Sequence, residues 1–190
     1  RGETLCQTTA QLVSTRSADH VVRLHDVKPC PPYVTFMLLI HDTRALGAII
    51  EPAVNEKGWS SMELQFDKIH GAGNDFIMID NMDGNICLSA NQVASLCDRH
   101  VGIGADGVIL VEPSTRDECA AYMRYFNADG TVAEMCGNGV RCFAKFLVDR
   151  GMVAVSDGRF IADTLAGARP ISFTVDEKGK LVSATVDMGE

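Results

Sequence analysis

The residues best suited to chemistry stand together in Met135-Cys136-Gly137-Asn138-Gly139-Val140-Arg141. An apolar run follows, with Val140, Cys142, Phe143, Ala144, Phe146, Leu147 and Val148 closed by Asp149-Arg150-Gly151. Apolar steps of three and four residues and a terminal glycine predict a helix. It is apolar on nearly every side, which predicts an interior position. Cys136 then stands at the N-terminal mouth of a buried helix. The first amides there lack intrahelical partners and carry partial positive charge. They can stabilise a thiolate or hold a carboxylate or phosphate. Gly137 and Gly139 let a ligand approach the backbone closely, and Asn138 offers a donor and an acceptor. The chemistry suggested is a cysteine acid/base or nucleophile beside an anion pocket. Taken alone, the same motif reads more simply as a buried structural cysteine next to a glycine turn. The rest of the chain must decide.

At 190 residues the chain can form one large domain or two small ones. With 46% hydrophobic and 22% charged residues, a real core is possible. A net charge of -8 argues against general nucleic-acid binding, while a local helix terminus can still hold a small anion. The 7 cysteines are scattered and odd in number, which fits reduced thiols in a cytoplasmic setting. Cys97 and His100 have ligand-like spacing, but no second pair follows, so no metal site is expected. The apolar stretch from Tyr33 to Ile40 is too short to span a bilayer, and the first residues lack a signal-peptide pattern. No membrane association is expected.

The elements that must position the thiol begin at Met62. Residues 1–61 differ in character: Pro29-Cys30-Pro31-Pro32 breaks regular structure, and Asn55 to Ser61 reads as a linker. This segment is expected to be disordered or weakly structured, with incidental histidines at 20, 25 and 41. From Met62, Leu64 and Phe66 alternate with polar residues as in a strand. The tight Gly71-Ala72-Gly73-Asn74 loop leads to a second strand, Phe76 to Ile79. Ser89 is a plausible N-cap for a helix through Val93, Leu96 and Cys97, ended by Asp98-Arg99-His100. Val108 to Glu112 reads as a buried strand. Asp106 before it can cap a loop or line a pocket, and position alone does not decide between these. Ala121 to Phe126 is a strand running into the hairpin-type turn Asn127-Ala128-Asp129-Gly130. Further strands are expected at Val153 to Val155, Phe160 to Ala162, Ile171 to Val175 and Leu181 to Met188. Strands with two helices, one of them interior, give an α+β domain: a curved, mixed β-sheet wrapped around a central buried α-helix.

Three ordered segments resemble the diaminopimelate epimerase family. They are Phe66-Asp67-Lys68-Ile69-His70-Gly71-Ala72-Gly73-Asn74-Asp75-Phe76, then Asp98 to Gly107, then Phe126 to Gly130 with Met135 to Cys142. The resemblance covers 62–190 and nothing before, so 1–61 is expected to be an extension outside the family. It implies two similar halves, each a sheet curled around a central helix, with the site in the cleft between them. The segment 62–190 looks like the first half. The second half, with its own cysteine and helix start, is expected to be missing.

The resemblance further implies cofactor-independent epimerisation. One acid/base group removes a proton from a chiral carbon and another returns one to the opposite face. Cys136 matches one of the pair. Asn74, Gly107, Asn127, Gly137 and Asn138 match substrate-contacting positions. Some relatives carry a glutamine where Gly107 stands. Cys142 is expected to pack inside the helix. The substrate implied is LL- or meso-diaminopimelate, and the full-length protein is expected to be a homodimer. The isolated chain is expected to be inactive. Two other readings stand beside this one. They are a related isomerase of the proline racemase or phenazine-biosynthesis type, and a non-catalytic anion-binding or thiol-sensing module.

Overall fold

The computed structural model describes residues 10–13, 20–27, 37–38 and 60–188. Its strands are β1 (Ala10–Val13), β2 (His20–Val27), β3 (Met37–Leu38), β4 (Ser60–Gly71), β5 (Asn74–Asp80), β6 (Gly107–Glu112), β7 (Ala121–Asn127), β8 (Val132–Ala133), β9 (Arg159–Thr164), β10 (Arg169–Val175) and β11 (Leu181–Val186). The helices are α1 (Ala90–Cys97) and α2 (Gly137–Asp149). The expected extension over 1–61 carries β1, β2 and β3. Ser60 and Ser61 begin β4, and the rest of it, including His41 and residues 55–59 of the expected linker, lies outside the described residues.

The first helix begins where its chemistry dictates. Ser89 caps α1 in a reciprocal box, its Oγ accepting from the Gln92 amide while the Gln92 side chain accepts from the Ser89 amide. The second helix ends on glycine for a conformational reason. Gly151 adopts φ 70°, its amide bonds Val148 and the Met152 amide bonds Leu147, which closes the last turn. One expectation is corrected here. Val153 to Val155 is not a strand; the chain instead makes a short 3-10 turn, Val155–Asp157, exposed at Val155. Two valines flanking Ala154 and followed by Ser156-Asp157-Gly158 are too short an apolar stretch to make a strand.

The sheet is mixed. Strands β5 and β6 are parallel, joined by α1. Strand β7 runs antiparallel to β6 and parallel to β9, with α2 in the connection between β7 and β9. Strands β10 and β11 follow as antiparallel neighbours. At the far side, β1 pairs with both β11 and β4, so the sheet closes around α2. Strand β4 is long enough to pair with β2 along its first half and with β5 and β1 along its second.

Both faces of β5 and β6 are buried, which explains their near-continuous apolar sequences. Phe76, Met78, Ile109 and Val111 point inward to Phe143, Phe146 and Leu147 of α2. Ile77, Ile79, Val108 and Leu110 point outward to Val93 and Leu96 of α1. Polar ties fix α2 in place: Lys145 Nζ bonds Asp149 at 2.7 Å, and Asp149 Oδ1 accepts from the Leu181 amide of β11 at 2.8 Å. Arg150 bonds Asp67 of β4 and lies 4.4 Å from the Phe146 ring centre. Among the described residues, no helix is long and apolar enough to cross a membrane.

Phe143 is fully buried at the centre of this arrangement. Phe143→Ala should lower unfolding free energy by about 3–5 kcal/mol, transfer and cavity terms together. Urea unfolding checks this; a loss under about 1 kcal/mol would mean that α2 is not the centre of the core.

Candidate active site

One end of the sheet gathers the residues singled out above. Parallel β5 and β6 both start there, antiparallel β7 ends there, and Phe76, Gly107 and Asn127 lie in one row across the three strands. The start of α2 faces the same end, because Cys136 Sγ reaches Asn74 Oδ1 at 3.6 Å.

Cys136 is the N-cap of α2, with extended backbone, and its carbonyl accepts from the Val140 amide at 2.8 Å. Its side chain makes no capping bond to the helix, so the sulfur stays available to the surroundings. The thiol is half-buried, packed at the edge of the core around α2. The amides of Gly137, Asn138 and Gly139 have no carbonyl a turn earlier within the helix to bond. Gly139 is closely surrounded: an added Cβ would stand 3.3 Å from Ile109 Cδ1, a side-chain methyl, and in ordinary contact with Cys136 Cβ at 3.6 Å. Asn138 does not extend freely from the helix start, since its Oδ1 accepts from Arg141 at 2.8 Å.

Gly107 sits where a side chain cannot. A Cβ there would meet Phe126 O at 2.4 Å and the Tyr125 ring at 2.7 Å. In this chain the position therefore serves close strand approach and can offer a ligand only backbone. Asn127 directs its Nδ2 to Thr131 Oγ1 at 3.0 Å, within the β7–β8 hairpin. Gly130 closes that turn at φ 84°, against the start of α1.

The structure adds a charged network that the motifs left unassigned. Asp106 Oδ2 accepts from Asn74 Nδ2 at 2.6 Å and from the Asp75 amide at 3.1 Å. Its Oδ1 accepts from Arg99 Nη2 at 2.8 Å. Arg99 also grips both oxygens of Asp75, which in turn pairs with Lys68 at 3.1 Å. Burial pushes the Asp75 carboxyl up, but hydrogen bonds and charge from Arg99 and Lys68 outweigh it and hold the group at about 2. A cleft of about 370 Å3 opens beside this network, lined by Lys68, His70, Gly73, Asp75 and Arg99 and not by Cys136. The one signal available in sequence was the placing of Asp75, Arg99 and Asp106 directly against glycine-rich loops.

The other thiols differ from Cys136. Cys142 is fully buried, and burial followed by the proximity of Cys136 pushes it up to about 12. Cys97, the last residue of α1, is buried, which pushes it up to about 11, while His100 is exposed. Tyr125, on β7, is pushed up to about 12 by burial and then by Cys136.

A model of the diaminopimelate epimerase family matches residues 66–190. The chain is 48% identical over 127 residues to diaminopimelate epimerase of Caldanaerobacter subterraneus, covering 66% of this chain and 43% of that protein. It is 47% identical over 131 residues to diaminopimelate epimerase of Alkaliphilus metalliredigens, covering 68% and 44%. It thus spans less than half the length of these relatives. Among solved structures it is similar to a probable proline racemase from Agrobacterium radiobacter K84, with TM-score 0.51 and 16% identity over 65% of this chain and 41% of that one. It is also similar to methylitaconate-delta-isomerase, with TM-score 0.52 and 15% identity over 63% and 36%. At such identities these two likenesses show the fold alone, an α+β fold with a mixed curved sheet.

Two outcomes follow from this geometry. Gly107→Ala should cost about 1–3 kcal/mol, because the clash is with a backbone oxygen in a strand pair that cannot turn aside. An unchanged urea midpoint would refute that. The depressed Asp75 carboxyl adds stability above its unfolded value near pH 4, roughly, and loses it as pH falls toward about 2. Asp75→Asn should therefore be less stable by about 1–2 kcal/mol at neutral pH, after discounting for solvent screening. The gap should close by about pH 2, whereas a gap constant across thermal melts at all pH values would show that the ion pairs are not its source.

Proposed function

The chain belongs to the diaminopimelate epimerase family, and from that premise we propose that it supplies one of two thiols of a cofactor-independent epimerase. The reaction is the interconversion of LL- and meso-2,6-diaminopimelate, a step toward lysine. Residues 62–190 make up the first half of that enzyme. Residues 1–61 stand outside the resemblance.

The observation that carries this reading is the place of Cys136, a half-buried sulfur at the N-terminus of an interior helix and 3.6 Å from Asn74. A substrate α-carboxylate seated on the amides of Gly137, Asn138 and Gly139 brings its α-carbon beside that sulfur. One thiolate takes the α-proton as the C–H bond breaks. The electron pair spreads into the carboxylate, whose growing charge the helix start stabilises. A thiol on the opposite face then gives its proton to the carbon, inverting it. The reverse direction exchanges the two sulfur roles. Asn74 and Asn127 are the side-chain contacts proposed for the rest of the substrate, and Gly107 contributes backbone only. The second thiol is proposed to come from a further half, and the whole enzyme is proposed to be a cytoplasmic homodimer.

The test is inversion of LL-diaminopimelate in D2O, followed by chiral chromatography and mass. The 190-residue chain should give no inversion. The same chain extended with the remaining portion of the Alkaliphilus relative should invert substrate and incorporate deuterium at the α-carbon. Cys136→Ala in that extended protein should lower turnover by at least about a hundredfold, as loss of an acid/base group does. Inversion by the 190-residue chain that depends on Cys136, or an extended protein indifferent to Cys136, overturns the proposal.

A further inference from the structure

We propose that Asp106 is a positioning residue that fixes which end of the Asn74 side chain meets Cys136. A side-chain amide has two unlike ends, a carbonyl that only accepts and an NH2 that only donates. The end presented to a thiol decides what that thiol can do. A carbonyl receives the S–H proton and keeps it on sulfur, whereas an NH2 group donates to a thiolate. Ionised, Asp106 can only accept, so it selects the NH2 end of Asn74, at 2.6 Å, and leaves Oδ1 for the sulfur at 3.6 Å. The carboxylate is not free to turn. Its Oδ2 also receives the Asp75 amide and its Oδ1 receives Arg99. Arg99 is held in turn by both oxygens of Asp75. Arg99 and Asn74 thus both donate to Asp106 from opposite sides, and Cys136 donates to the carbonyl that Asn74 has left over.

The consequence is a division of labour. The free amides at the start of α2 favour negative charge on the sulfur. Asn74, held by Asp106, opposes them until a ligand displaces its carbonyl. Cys136 thus meets a hydrogen-bond acceptor before ligand arrives. What a ligand then does rests on the two-thiol reading above, but the orientation itself does not, and it can be tested without turnover.

The experiment is alkylation of the 190-residue chain by iodoacetamide at neutral pH, with each cysteine followed by peptide mass spectrometry. Asp106→Asn can donate to Asn74 Oδ1 and so lets the amide reverse. Alkylation of Cys136 should then speed up by about two- to tenfold, the worth of one hydrogen bond to the thiol. Cys97 and Cys142, both buried, should stay unmodified and so report that the fold is intact. In an Asn74→Ala background the same Asp106→Asn change should have little effect on Cys136. An unchanged rate overturns the proposal. An equal rise with or without Asn74 also overturns it, since Asp106 would then act by charge alone. Should Asp106→Asn expose the buried thiols, the unsubstituted protein decides. Its Asn74 NH2 resonances, assigned by their loss in Asn74→Ala, should show one proton shifted and slow to exchange. A solvent-like pair there overturns the proposal.

Discussion

An interior helix whose few polar side chains, Arg141 and Lys145, are themselves buried has only its two ends to offer to chemistry. In α2 every residue from Gly139 to Val148 is buried, so the helix must be enclosed along its length. The sheet does this, with β4 to β7, β9 to β11 and β1 closing around it. The C-terminal end is sealed by the Gly151 turn and the Asp149 and Arg150 ties. The N-terminal end is left with unpaired amides, a cysteine cap and two glycines. Placement of the proposed chemistry thus follows from where an apolar helix can be open at all.

The polar groups at that open end are arranged in series. Lys68, Asp75, Arg99, Asp106, Asn74 and Cys136 each contact the next, and five of the six come from the β4–β5 hairpin or the loop between α1 and β6. A capped, short α1 delivers that loop. Its C-terminal residues hand their carbonyls to Ile103, Gly104 and Ala105, which turns the chain so that Asp106 faces Asn74. Charges at this end are therefore placed by backbone bonds several residues away.

Much of this was legible in the sequence, for reasons that can be named. The alternation around Leu64 and Phe66, the Ser89 cap and the glycine after Arg150 are local signals, and each maps to an element. The apolar run after Gly139 also carried the wrap of the sheet, since a helix apolar on nearly every side excludes a surface position. What could not be read was long-range. Nothing local ties Asp106 to Asn74, which is 32 residues away, while the β-rich tripeptide at 153–155 is too short an apolar stretch to make a strand. Gly107 looked like a pocket position. The reason for glycine there is a carbonyl of Phe126, visible only once β6 and β7 are paired.

Burial of β5 and β6 on both faces has a further effect on how this sheet keeps its alignment. In a one-sided sheet a slip of a single residue brings polar groups inside, and that penalty enforces pairing. Here a slip would exchange Phe76 and Met78 for Ile77 and Ile79, oil for oil, with little cost from hydrophobicity. Alignment must be enforced by shape and polarity instead. The missing side chain at Gly107 fits only opposite the Phe126–Asn127 backbone, and the Asp106 amide meets the Asp75 carbonyl in only one frame. The same few residues that furnish the rim of the open end therefore act as the ratchet teeth of the sheet.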